Sequence, residues 1–172
     1  MSFAIGNSLI SACPDIAIIN KEDNKIILLV QEDKRYNPDL HSRTHAPAQL
    51  IAEALAAFAF NNDMYDQNLK SQTIYGIVML ETRVTFYRIP MTKEFYDKVR
   101  HNDRTNNKCT IEVESYAVGN SDNDAFDYMV KAPGNMKMVF DCFEVLHELV
   151  LEANNSRRYH GDTSQSSELS DV

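Results

Sequence analysis

Two carboxylates and a lysine lie at the open end of two neighbouring apolar stretches. Asp15 follows Pro14 and opens the segment 15–20, while Glu32, Asp33 and Lys34 follow the run Ile26, Ile27, Leu28, Leu29, Val30. Two carboxylates helped by a backbone carbonyl suit a hard cation, which prefers oxygen ligands and keeps several waters. Such an ion lowers the pKa of a bound water and shields phosphate charge. A nearby ammonium stabilises charge that develops on phosphate oxygens. Together these parts are equipped to hydrolyse a phosphodiester.

The chemistry requires the side chains to converge, and register decides whether they do. The polar turn Lys21, Glu22, Asp23, Asn24 makes 15–20 and 25–34 an antiparallel hairpin. A turn at 21–24 pairs Asn20 with Lys25, and a turn at 22–25 shifts that pairing by one residue. In both registers paired residue numbers add to an odd total. Side chains repeat every two residues along a strand, so an odd total sets Asp15, Glu32 and Lys34 on one face, with Asp33 on the other. An even total divides the carboxylates between faces. A structural use competes: cross-strand charge pairing worth about 0.2–1 kcal/mol. Against it stands the cost of concentrating charge directly after a strand buried on both sides.

Further elements must hold the hairpin. The strand 25–34 is apolar on both faces, which belongs in the middle of a covered sheet. The segment 15–20 is β-branched and reads as a buried strand. The segment 46–60 is the clearest helix, with Leu50, Ile51, Ala54, Leu55 and Phe58 at helical spacing. Pro47 suits its first turn, and Asn61, Asn62 and Asp63 read as its stop. Gln49 shares a side of this helix with Glu53, Ala56 and Phe60, opposite the apolar stripe. That side suits an exposed residue as well as one facing a site. Strands follow at 73–80 and 84–89, the latter ended by Pro90. Thr92 caps a short helix through Phe95, Tyr96 and Val99. An edge strand is expected at 109–118. A long helix at 136–153 gathers Val139, Phe140, Phe143, Leu146, Leu149 and Val150 on one face. Ahead of all these, 3–12 reads as a strand or hairpin broken at Gly6 and Asn7. The fold class is therefore α/β (α+β mixed): a central mixed sheet with a hairpin, a crossover helix and two further strands.

The wording around these elements resembles the PD-(D/E)XK nuclease superfamily, and within it a poorly characterised fungal family. The resemblance rests on Pro14-Asp15, on Glu32-Asp33-Lys34 after an apolar strand, and on the Ala-rich helix with Gln49 before the strand at 73–80. It covers 14–90, about half the chain. It implies a restriction-endonuclease-like core and a divalent-metal-dependent nuclease hydrolysing phosphodiester bonds in DNA or RNA. The alternative it carries is a catalytically inactive member serving as a binding or interaction module. By resemblance, Asp15, Glu32 and the Asp33 backbone carbonyl hold Mg²⁺ or Mn²⁺, Lys34 is catalytic, and Gln49 stands beside the site. Two positions depart from the family. Thirteen residues precede Pro14, too few for the usual opening helix and strand, and Glu53 stands where some members carry Tyr. The partner class implied is nucleic acid, with a homo-oligomer or a partner chain completing the core left open.

Composition bounds the rest. The 172 residues, net charge −8, fit a single domain over 1–153 with a polar, disordered tail over 154–172. Net acidity lowers the prior for sequence-independent binding of DNA. Cys13, Cys109 and Cys142 show neither zinc nor disulfide spacing, which suits idle thiols in a reducing compartment. His41 and His45 lack a third soft ligand and read as solvated loop residues, and Arg88 as a solvated strand residue. No apolar run approaches the roughly 20 residues that span a bilayer. An intracellular protein of nucleus or cytoplasm is expected, with no membrane contact.

Overall fold

A computed structural model describes residues 1–33, 42–63, 69–80, 83–102, 109–118 and 133–155. Lys34, expected to end the second strand of the hairpin, the expected loop residues Tyr36, Pro38 and His41, and the polar segment beyond 155 lie outside them. Two short strands, β1 (Ser2–Ile5) and β2 (Ser8–Ser11), form a hairpin. Gly6 turns it at φ 55°, a left-handed conformation that costs glycine least.

The main sheet has five strands. They are β3 (Ile16–Ile19), β4 (Ile26–Asp33), β5 (Ser71–Leu80), β6 (Arg83–Thr92) and β7 (Glu114–Ala117), in that spatial order. Every neighbour pair is antiparallel except β4 and β5, which are parallel. A parallel pair needs a crossover, and α1 (Ser42–Asp63) lies in that connection. The short helix α2 (Lys93–Arg100) follows β6, and α3 (Pro133–Asn155) comes last. The mixed sheet, its hairpin and its crossover helix give the α+β architecture expected from the sequence.

Local chemistry explains most boundaries. Asn24 takes φ 49° at the end of the β3–β4 turn, where Asn tolerates the left-handed region. Thr92 Oγ1 accepts the Phe95 N–H at 3.2 Å and caps α2. Helix α1 lies against the sheet because Gly76 of β5 leaves room for it. A Cβ there would sit 2.6 Å from Leu50 Cδ2.

Four expectations are corrected. Segment β3 is not buried: it is the edge strand, and all four residues are exposed, Ile16 by 57%. Its apolar composition matches a central strand, but only one neighbour flanks it. Pro90 does not end β6. It pairs with Thr73 beyond the last residue that β7 covers, where no strand of the described residues lies on that side of β6 and Pro is tolerated. Helix α1 runs through Asn61 and ends with the expected stop at Asp63, but it starts earlier than expected, so Pro47 lies beyond its first turn and His45 stands in the helix rather than in a loop. Asn61 is fully buried, accepting the Ile26 N–H at 2.9 Å and donating to Ile26 O at 2.8 Å and Gln72 Oε1 at 3.0 Å. It thereby ties β4 to β5. Finally, α3 buries Val139 and Leu146 but leaves Phe140 61% exposed, because the sheet covers a narrower stripe than the helix makes apolar.

Two cores result. One lies between α1 and the sheet, around Leu29, Leu50, Phe58, Ile74 and Ile89. The other lies between α3 and the opposite face, around Leu28, Tyr75, Ile77, Phe86 and Leu146. No helix of the described residues is long and apolar enough to cross a membrane.

Candidate functional site

The β3–β4 hairpin begins in the odd register. The Asn20 N–H donates to Lys25 O at 2.8 Å, and Ile19 pairs with Ile26. One extra residue, Ile27, then enters β4. Beyond it Ile18 pairs with Leu28, Ala17 with Leu29 and Ile16 with Val30. This is a β-bulge: two residues of one strand oppose one of the other, and pairing resumes shifted by one. Continued one step, the register sets Asp15 level with Gln31, so the odd register holds only beside the turn. By alternation Asp15 keeps company with positions 31 and 33 of β4, not with position 32. Glu32 and Asp33 are the last two residues of the strand and pair along the backbone with Met79 and Leu80 of β5. Lys34 lies outside the described residues.

Helix α1 brings the opposing groups. Residues four apart on a helix share a face, and Gln49 and Glu53 do so: Gln49 Nε2 donates to Glu53 Oε1 at 3.1 Å. Glu53 is 1% exposed and Gln31 9% exposed. With the Gln31 amide nitrogen toward α1, it donates to Glu53 Oε1 at 2.9 Å, while its oxygen accepts from Gln49 Nε2 at 3.2 Å. Gln49 itself lies at the exposed margin. The site is therefore a buried carboxylate held by two amides at the end of β4, with the charge of Asp15, just ahead of β3, acting on it.

Electrostatics link the two acids. Burial pushes the Glu53 carboxyl above its ordinary value. The Gln49 hydrogen bond partly opposes that rise, and the negative charge of Asp15 adds to it. Two neighbouring carboxylates, one desolvated, disfavour a second negative charge. A proton or a hard cation relieves that conflict. Carboxylate and amide oxygens are the donors Mg²⁺ or Mn²⁺ prefers. Asp15 and Glu53 supply carboxylate oxygens of that type. Among the described residues no group of three or more His, Cys, Asp or Glu is placed to hold a metal.

Of the residues expected at the site, Gln49 bonds Glu53 and Asp15 acts on Glu53 through its charge. Gln31 and Glu53 are additions that the hairpin pattern alone did not single out. A signal for Glu53 was present: it is the one charged residue between Leu50 and Phe60 in an Ala- and Leu-rich helix. Arg88 does not stand free on its strand, since its Nη1 bonds Glu114 Oε1 at 2.9 Å.

Comparison with protein-family models, with curated proteins and with solved structures returned no match.

Proposed function

We propose that the chain is a divalent-metal-dependent phosphodiesterase of the PD-(D/E)XK type, acting on DNA or RNA. The observation that carries this reading is the buried Glu53 carboxylate, held by Gln31 and Gln49, whose pKa the negative charge of Asp15 raises further. Asp15 and Glu53 would hold Mg²⁺ or Mn²⁺, with the Asp33 backbone carbonyl as a further oxygen. When bound, the ion supplies an activated water and charge neutralisation at the phosphate. Gln31 and Gln49 orient the Glu53 carboxylate by donating to it, and Glu53's burial keeps bulk water off that side. Lys34 would offer its ammonium to the phosphate oxygens as charge builds there. By alternation position 32 lies on the other face from Asp15, so Glu32 is not counted among the ion's ligands.

The test is cleavage of labelled single- and double-stranded DNA and RNA by the purified chain with Mg²⁺ or Mn²⁺. Cleavage is expected to fall by at least two to three orders of magnitude in Asp15→Asn, in line with losing a group that stabilises the transition state. Intact substrates under every condition, or equal cleavage by Asp15→Asn, would count against it.

A second reading has its own support. Both amides already hold the Glu53 carboxylate, and a protonated Glu53 makes the same cluster a structural plug. The chain is then an inactive member of that fold used for binding. Absence of divalent binding together with unchanged folding in Asp15→Asn is the result that favours it.

A further inference from the structure

The face of the sheet opposite α1 carries a second feature, independent of the acidic site. Between α3 and strands β5, β6 and β7 lies a cavity of about 580 Å³. That volume falls within the range of small-molecule sites. Its floor is aromatic: Phe86 pairs across strands with Tyr116, and Tyr75 lies one row away opposite Arg88. Its roof is the flank of α3 formed by Met138, Val145 and Leu149.

The gap is propped open. The Phe86 and Phe143 rings meet edge to face, 5.2 Å apart at 81°. Val139 and Leu146 pack down beside them, which leaves the Met138 flank standing off the sheet. The charges at the rim are already matched. Arg88 pairs with Glu114 at 2.9 Å, and Asp141 with Lys137 at 2.8 Å. A charged ligand meets charges that already have partners, while an uncharged one disturbs neither pair. Water gains little in a chamber whose walls offer few polar partners.

We infer that this cavity binds an uncharged, mainly apolar small molecule carrying a flat ring system, held between the Tyr75, Phe86 and Tyr116 floor and the Met138, Val145 and Leu149 flank. Ring-on-ring contact with the floor rewards an aromatic ligand beyond its apolar area. The site does not depend on the nuclease reading, because no residue is shared with it.

The probe is Nile red, an uncharged fused-ring dye, titrated into the full chain. Saturable binding of one dye per chain, with blue-shifted emission, is expected. Val145→Trp fills the rim from an exposed position and should weaken binding at least about tenfold. Glu144→Trp, on the charged side of the same helix, should leave it unchanged. Circular dichroism checks that both variants fold. A second readout uses no variant: saturating dye should slow N-ethylmaleimide labelling of Cys142, which lines the cavity, and leave exposed Cys13 unaffected. Non-saturable binding, equal affinity in Val145→Trp, or unprotected Cys142 would overturn the inference. Tighter binding of an anionic naphthalene sulfonate would overturn the uncharged class. Dye exclusion by a dimer seen in light scattering would assign the surface to a second copy instead.

Discussion

Gln31 of β4 and Glu53 of α1 meet across the main core, amide nitrogen to carboxylate oxygen at 2.9 Å, with both residues buried. A strand end and a crossover helix are joined by this polar contact, as the other end of β4 is joined to α1 through Asn61. The contact exists because Ile27 bulges out of β4. Without that extra residue the register would set Asp15 level with Val30, with position 32 rather than position 31 on its face.

Replacing Glu53 by Gln removes an ionisable group whose pKa is raised in the folded chain. The folded state then binds more protons than the unfolded state above the ordinary Glu range near 4.3. Stability of the natural chain therefore falls as pH rises through that window toward the raised folded value. Glu53→Gln is expected to melt higher than the natural chain at pH 7, and the difference should vanish below about pH 4. Thermal melts of both proteins from pH 3 to 8 check this.

Gly76→Ala places a methyl group 2.6 Å from Leu50 Cδ2. Both groups are held, one by the β5 ladder and one by α1, so the helix must lift. The expected cost is about 1–3 kcal/mol, the usual range for overpacking. Adding Leu50→Ala should recover part of the loss, a non-additivity that a double-mutant cycle in urea would measure.

Asn61→Ala strips the Ile26 N–H of its side-chain partner, leaves Ile26 O with only the Gln72 Nε2 donor at 3.0 Å, and leaves Gln72 Oε1 one bond short. A buried group left unsatisfied costs roughly 1–3 kcal/mol. The lost stability should be accompanied by faster hydrogen exchange at the Ile26 amide, which distinguishes this network from a general loss of packing.

Much of the framework was readable along the chain. The turn before β4, the helix carrying Gln49, the Thr92 cap and the strand at β5 follow from local patterns that hold wherever the segment sits. What failed depends on neighbours. Ile16, Ala17, Ile18 and Ile19 look the same at an edge as at a centre, and only the sheet order exposes them. Pro90 and Asn61 read as stops because their roles come from a strand side left open and from a buried amide contact. The site shows the same division. Asp15 and Gln49 were readable from residue type and position. The company they keep was not, because a single bulged residue at Ile27 changed the register, and turn chemistry does not specify bulges within a strand.

The central claim is that Asp15 and Glu53 form one oxygen-donor site. Calorimetric titration of Mn²⁺ into the purified chain near pH 7 tests it most directly, with Asp15→Asn, Glu53→Gln and Glu114→Gln as companions. One ion per chain is expected, lost or weakened at least about tenfold in the first two variants and kept in Glu114→Gln, which lies on β7. No binding by the natural chain, or full binding in both Asp15→Asn and Glu53→Gln, would contradict it.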